Sequence, residues 1–270
     1  MRLINRTPSR SGWLALAILP FALLLALYLT SSTQRLEINP NDKLLPSFGQ
    51  MSAAVERLAF TPDKRSGDYL FWQDTASSLK RLGSGLAIAA VAGLCLGVAA
   101  GTLPLFGAPL SPLLTVLSMV PPLAILPILF IIFGLGELAK VMLIIIGITP
   151  FLIRDLQQRA EEIPTEQIIK MQTLGANTWQ IITRLVWPQI MPRLLSSVRL
   201  SLGSAWLFLI AAEAIAATEG LGYRIFLVRR YLAMDVILPY VAWITFLAFA
   251  LDFALKRYSQ WRYPWFHGAQ

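Results

Sequence analysis

Six stretches of this chain are apolar over lengths suited to the interior of a bilayer, and that pattern limits the fold more than any motif does. A hydrocarbon core about 30 Å thick is crossed by roughly twenty helical residues. Residues 13–30, 83–103, 113–133, 138–153, 194–217 and 236–255 supply such runs, the fourth being the shortest and carrying Lys140 near its start. In lipid every backbone N–H and C=O must be satisfied internally, which leaves helices as the natural reading of runs this long. Hydrophobic residues make up 56% of the chain and charged residues 14%, with a mean hydropathy of +0.61. The expected fold is an all-α integral membrane protein of about six transmembrane helices, forming one transmembrane domain over residues 1–270. A basic stretch with Arg2, Arg6 and Arg10 precedes the first run, as in a signal peptide. That run exceeds a signal peptide's apolar core, and Ser31-Ser32-Thr33 is a poor cleavage site, so it reads as an uncleaved anchor.

Basic residues near span ends set the orientation. Arg2, Arg6 and Arg10 precede the first span, and Lys256, Arg257 and Arg262 follow the last, so both termini are expected in the cytoplasm. Residues 1–12 and 256–270 are then the cytoplasmic ends. Residues 31–81 become a periplasmic segment, in which the stretch from Arg35 to Arg81 holds seven basic and six acidic residues. The polar stretch 154–193, with Arg154, Arg159, Lys170, Arg184 and Arg193, falls inside. The net charge of +8 is therefore mostly topology, and no basic, aromatic-interleaved soluble helix points to nucleic acid.

Catalytic and metal chemistry find no support in the residue inventory. Cys95 is the one cysteine and lies inside the second run, and His267 is the one histidine. No Gly-Lys dipeptide occurs, so there is no phosphate-cradling P-loop. No catalytic residue and no metal site is expected.

Within the spans, Gly85, Ala89, Gly93, Gly97 and Gly101 recur every four residues on one helix face. Small residues at that spacing let two helix backbones approach, and packing within one subunit is the favoured reading over a subunit interface. Pro121-Pro122 and Pro127 remove backbone donors in the third run and are expected to bend it, either beside a translocation path or as a packed kink. Glu213 interrupts an apolar run, so it is expected to face a cavity or a partner, or to reach water at the outer interface. Gly220 and Gly222 follow it in a turn-like Glu219-Gly220-Leu221-Gly222-Tyr223, and Glu137 stands at the outer end of the third run.

The stretch 154–193 has helical periodicity without enough apolar length to enter lipid. Ile168, Met171 and Leu174 share one face, as do Trp179, Ile182 and Val186. Gly175 separates the two helices at a corner that suits a positive φ, and Asn177 is placed to cap the second. Pro188 and Pro192 are expected to end that second helix and lead into the fifth span. From periodicity, a projecting knob and an amphipathic hairpin lying on the headgroups fit equally.

Gly175, nine intervening residues, then Leu185-Val186-Trp187-Pro188 is similar to the cytoplasmic signature of ABC-importer permeases. Thr173-Leu174-Gly175-Ala176, Pro121-Pro122-Leu123-Ala124, Phe133-Gly134-Leu135-Gly136-Glu137 and Ala212-Glu213 with Gly220-Leu221-Gly222-Tyr223 resemble its nitrate/sulfonate/taurine branch. The likeness runs from Leu44-Leu45-Pro46-Ser47 to the C-terminus. It implies a permease subunit of a type I importer in a bacterial inner membrane, moving a small oxyanion-type solute by alternating access. It implies as partners a second copy of the chain, two cytoplasmic ATPase subunits that bind ATP and Mg, a periplasmic solute-binding protein and membrane lipid. No cofactor is expected on this chain.

The same resemblance marks Glu166, Thr173, Leu174, Gly175, Ala176, Leu185 and Pro188 as ATPase-coupling residues. Pro121, Pro122, Glu137, Glu213, Gly220 and Gly222 are candidates for the pathway or its gate. The family's Glu-Ala-Ala is replaced by Ile169-Lys170-Met171, with Glu166 one turn earlier as a substitute acid. The alternative is a secondary transporter or channel not powered by ATP, for which no internal repeat with mid-membrane charges is visible.

Overall fold

Helices account for nearly all regular structure in the computed structural model, which describes residues 9–40, 42–64 and 67–267; no strand occurs among them. The basic Arg2 and Arg6 lie outside the described residues. Two compact units are present, one drawn from residues 1–69 and 228–240, the other from 70–227 and 241–270.

In the first unit, α1 (Arg10–Ile38) begins at Ser9, whose side chain accepts a hydrogen bond from the Gly12 amide. Over residues 13–29 its side chains are apolar on all faces and nearly all exposed, the pattern of a helix solvated by lipid. The chain then turns back along it: Tyr28 Oη donates to the Pro46 carbonyl at 2.5 Å and Ser32 Oγ to the Leu45 carbonyl at 2.9 Å. Ser47 and Gln50 form a reciprocal capping box that starts α2 (Phe48–Ala59).

The second unit is built on α3 (Leu70–Thr102) and α6 (Glu137–Glu161). A Cβ placed on Gly85 would meet Ile144 at 2.8 Å, on Gly93 Leu152 at 2.6 Å, and on Gly97 Leu156 at 2.9 Å. Partner numbers rise together along both helices, so α3 and α6 run parallel in constant register. The small-residue stripe is thus an internal helix seam, held by close backbone approach in place of large side chains.

Between them the chain breaks. After α4 (Pro104–Met119), Val120 and Pro121 are extended, a 3₁₀ turn spans Pro122–Ile125, and α5 (Leu126–Phe133) follows. The two halves are bent by 81°, so the expected kink in the third run is a true break. Pro121 and Pro122 cause it, because two successive residues without N–H cannot continue a helical ladder.

Beyond α6 come α7 (Thr165–Thr173), α8 (Thr178–Ile181), a π turn over Ile182–Val186 and α9 (Trp187–Ala216). Ser197 bonds to Asp155 near one end of α9, and Phe208 packs on Gly147 further along, so α9 runs antiparallel to α6. The chain continues through α10 (Leu221–Arg229), α11 (Met234–Arg262) and α12 (Pro264–His267). Arg199 holds Asp252 through two hydrogen bonds of 2.8 and 2.9 Å, joining α9 to the later part of α11.

Ser11–Ile38, Leu70–Thr102, Thr178–Ala216 and Met234–Arg262 are long and apolar enough to cross a membrane, and the bent pair makes a fifth if it is one span. The expected fourth run lies in α6, whose 25 residues bear charge at both ends and which is not among those candidate spans.

Three expected boundaries shift. α3 starts at Leu70, so residues 70–81 are the first turns of the helix that carries the second apolar run. The helix persists through Arg81 because that charge is matched by carboxylates across the seam. The first eight residues of the polar stretch 154–193 are the end of α6. Pro188 and Pro192 do not end a helix, since residues 178–216 form one continuous run. The π turn explains why: Trp187 N–H bonds to the Ile182 carbonyl, shifting the ladder just where Pro188 supplies no donor.

Candidate coupling segment and buried ion cluster

Of the coupling candidates, Thr173, Leu174, Gly175 and Ala176 form the α7–α8 corner. Glu166 sits in the first turn of α7, where a carboxylate is favoured by the helix dipole. Gly175 has φ of 78°, Gly175 N–H donates to the Gln172 carbonyl at 2.9 Å, and Ala176 N–H to the Met171 carbonyl at 3.0 Å. These two bonds are a Schellman closure, and the left-handed residue it needs is the glycine. Asn177 restarts the helix, accepting from Gln180 N–H at 2.9 Å while Gln180 Oε1 accepts from Asn177 N–H at 3.0 Å.

The consequence is an exposed apolar tip. Leu174 is 76% exposed and Trp179 71% exposed, with nothing of this chain within 4 Å of a Cβ on Gly175. Thr173, Leu174, Gly175 and Ala176 are contiguous at this corner, whereas Leu185 is half-buried in the π turn and Pro188 lies in the first turn of α9. Ile169, where the resembling signature has its glutamate, and Lys170 after it are exposed beside it. Where α6 ends, Arg159 donates to Glu162 at 3.0 Å, and this bond draws the Glu162 carboxyl below its ordinary range.

The pathway candidates divide. Glu137, Glu213, Gly220 and Gly222 come together in one ion cluster at the start of α3 and α6 and the end of α9. Pro121 and Pro122 stand apart at the break, Pro122 lining an apolar cavity of about 550 Å³.

Glu213 is fully buried and does not reach water. Its carboxylate accepts from Arg81 at 2.7 Å and from Gly222 N–H at 2.9 Å, with Ser78 Oγ at 2.8 Å. Arg81 places Nη2 2.8 Å from Glu137 and directs Nε to the same carboxylate, a two-pronged grip, while Nη1 also reaches the Glu219 carbonyl at 2.8 Å. Lys140 adds a 2.7 Å bond to Glu137. Asp74, also fully buried, accepts from Gly220 N–H at 2.8 Å and from Arg224 at 2.7 Å.

The amides of Gly220, Leu221 and Gly222 are the unsatisfied donors of the α10 N-terminus, and Asp74, Ser78 and Glu213 satisfy them from two other helices. Glycine is required because a Cβ on Gly220, at φ of 126°, would lie 2.6 Å from the Glu213 carboxyl carbon. Gly222 likewise approaches the Ile210 carbonyl, at 2.8 Å for an added Cβ. The arrangement is a four-element tie that opens to solvent at Glu137, whose side chain is 62% exposed, and at Glu219, whose side chain is 36% exposed and lies 3.6 Å from Arg81.

Asp74, Ser78, Arg81, Lys140 and Arg224 were not among the sequence candidates. A signal existed: Asp74, Ser78 and Arg81 continue the Gly85–Ala89–Gly93 face one turn at a time toward the N-terminus of α3.

Residues 93–264, more than half of the chain, match the model of the family described as "Binding-protein-dependent transport system inner membrane component". The chain belongs to this family. The taurine transport system permease protein TauC of Escherichia coli (strain K12) is 35% identical over 201 residues, 74% of this chain and 73% of that protein. The bicarbonate transport system permease protein CmpB of Synechococcus elongatus is 30% identical over 199 residues, 73% of this chain and 69% of that protein. The fold is shared with the permease of the MetNI methionine ABC transporter in its inward-facing form, at a TM-score of 0.62 and 21% identity, covering 71% of this chain and 95% of that one.

As a member of this binding-protein-dependent family, the chain is a non-catalytic, multi-pass inner-membrane permease subunit of a type I ABC importer. The family implies a separate ATPase and a solute-binding protein as its partners.

Proposed function

We propose that this permease imports a small oxyanion-type solute, of the nitrate, sulfonate or taurine kind, by alternating access driven from its α7–α8 corner. The exposed Leu174-Gly175-Ala176 tip carries the reading, since a rigid apolar corner outside every span is suited to seat in a groove of another protein. Two copies of the chain form the pathway, with both termini in the cytoplasm. Two cytoplasmic ATPase subunits, which hold ATP and Mg, grip the corners of residues 154–193, and their closure draws the corners together and opens the path outward. A periplasmic binding protein delivers the solute at the opposite face, near the ion cluster. Thr173 to Ala176 form the contact. Leu185 and Pro188 pass the motion into α9 through one continuous helix.

The substrate class is supported by the taurine and bicarbonate permeases among the relatives, because a sulfonate and bicarbonate share a compact oxygen-rich anionic group. Competition tests it. Uptake of labelled taurine into vesicles holding the complete transporter is measured against unlabelled nitrate, methanesulfonate, bicarbonate and methionine. Inhibition by one or more of the oxyanions and none by methionine is expected; inhibition by methionine alone refutes the class.

A further inference from the structure

At the far end of α6 from the ion cluster, two helices turn polar faces toward each other. α4 presents Ser111, Thr115 and Ser118 at spacings of four and three, and α6 presents Arg154 and Gln157. Gln157 Nε2 donates to Ser111 Oγ at 2.9 Å and Arg154 Nη1 to Ser118 Oγ at 3.2 Å, with numbers falling on one helix as they rise on the other. Between them lies an open cavity of about 730 Å³. Arg154 is about 25 Å along the helix axis from Glu137, at 1.5 Å per residue, so cavity and cluster are separated by most of a hydrocarbon core.

Arg154 is the one cationic side chain among the residues that line this cavity. Arg81, Arg159, Arg199 and Arg224 each hold a carboxylate. Arg154 makes one hydrogen bond, to a hydroxyl, and no ion pair among the described residues. Two acids also line the cavity: Asp155 accepts from Ser197 and lies 3.8 Å from Arg159, and Glu161 accepts from Gln157 at 2.8 Å within the lining. A guanidinium has five N–H donors in a planar fork matched to a planar or tetrahedral oxyanion.

We propose that this groove is an oxyanion station on the permeation route, in which Arg154 takes the anion's oxygens and the α4 hydroxyls flank it. The assignment rests on the reading of the chain as an oxyanion importer. One exposed cation in an open groove gives weak binding, which conduction requires, since a tightly held solute would not leave. A lipid phosphate carries the same chemistry, so the test separates a free anion from a headgroup.

The full chain is placed in nanodiscs of phosphatidylcholine and treated with phenylglyoxal, and modification of Arg154 is followed by mass spectrometry. Methanesulfonate or nitrate at about 50 mM is expected to slow it about fivefold relative to chloride at equal ionic strength, as a dissociation constant of about 10 mM demands. The exposed Arg184 serves as the unprotected control. Absence of protection, or protection by phosphatidylglycerol nanodiscs alone and none by free anions, overturns the proposal. In vesicles with the ATPase and binding protein, Arg154→Gln is expected to cut oxyanion uptake about tenfold, or about 1.4 kcal/mol, with the complex still co-purifying. Wild-type vesicles that import no oxyanion would overturn the transport reading, whereas absent protection with intact uptake overturns only the station.

Discussion

Replacing Arg81 with methionine should be the most damaging single change in the ion cluster. Glu213 would keep its burial and its bonds from Ser78 and Gly222, while losing its one cationic partner among the described residues. Removing one member of a buried ion pair costs about 3–5 kcal/mol, because the remaining charge is neither hydrated nor compensated. At roughly 2–4 °C per kcal/mol for a domain of this size, the thermal midpoint should fall by about 6–20 °C. Glu213→Gln should cost less than half as much, since Arg81 retains its two-pronged hold on Glu137. The double variant Arg81→Met/Glu213→Gln should recover part of the loss, as no lone buried charge remains. Detergent-solubilised protein, heated and analysed by size-exclusion chromatography, provides the assay. A midpoint within 2 °C of wild type for Arg81→Met, or a double variant whose loss equals the sum of the singles, refutes the reasoning.

Other substitutions separate coupling from packing. At Gly175, with φ of 78° and open space around it, strain of about 1–2 kcal/mol or more should rank Asn as mildest, then Ala, then Val. Stimulation of the partner ATPase should fall in that order with membrane insertion unchanged. Gly93→Leu should drive α3 from α6, because a Cβ there meets Leu152 at 2.6 Å; loss of monodisperse protein is expected, with Gly83→Ala, which meets nothing within 4 Å, neutral. Asn177→Ala removes the capping box and about 1 kcal/mol, so amides of residues 178–181 should exchange hydrogen about fivefold faster by mass spectrometry.

Local chemistry was legible in the sequence, and long-range pairing was not. The Gly175 corner and the Asn177 cap were readable because both depend on neighbours within a few residues. The glycine stripe announced a close helix seam, although nothing in it named α6 as the partner. Glu213 stood out as an isolated acid, yet its partner Arg81 is 132 residues away and was counted among loop charges. An arginine beside an apolar run looks like a span boundary when its carboxylates are out of view. The proline pair predicts a bend, whereas its size of 81° and the 3₁₀ turn inside it are not encoded in the pair itself. The continuity of residues 178–216 through Pro188 was hidden for a similar reason, because a π turn has no sequence period of its own.

The central claim is that motion of these helices is driven by ATP through the α7–α8 corner. It is tested most directly in proteoliposomes that hold this chain with its ATPase, the binding protein and labelled solute outside. Uptake should require ATP inside, vanish with Gly175→Val, and be indifferent to an imposed proton or sodium gradient. Uptake driven by such a gradient without ATP would contradict the account.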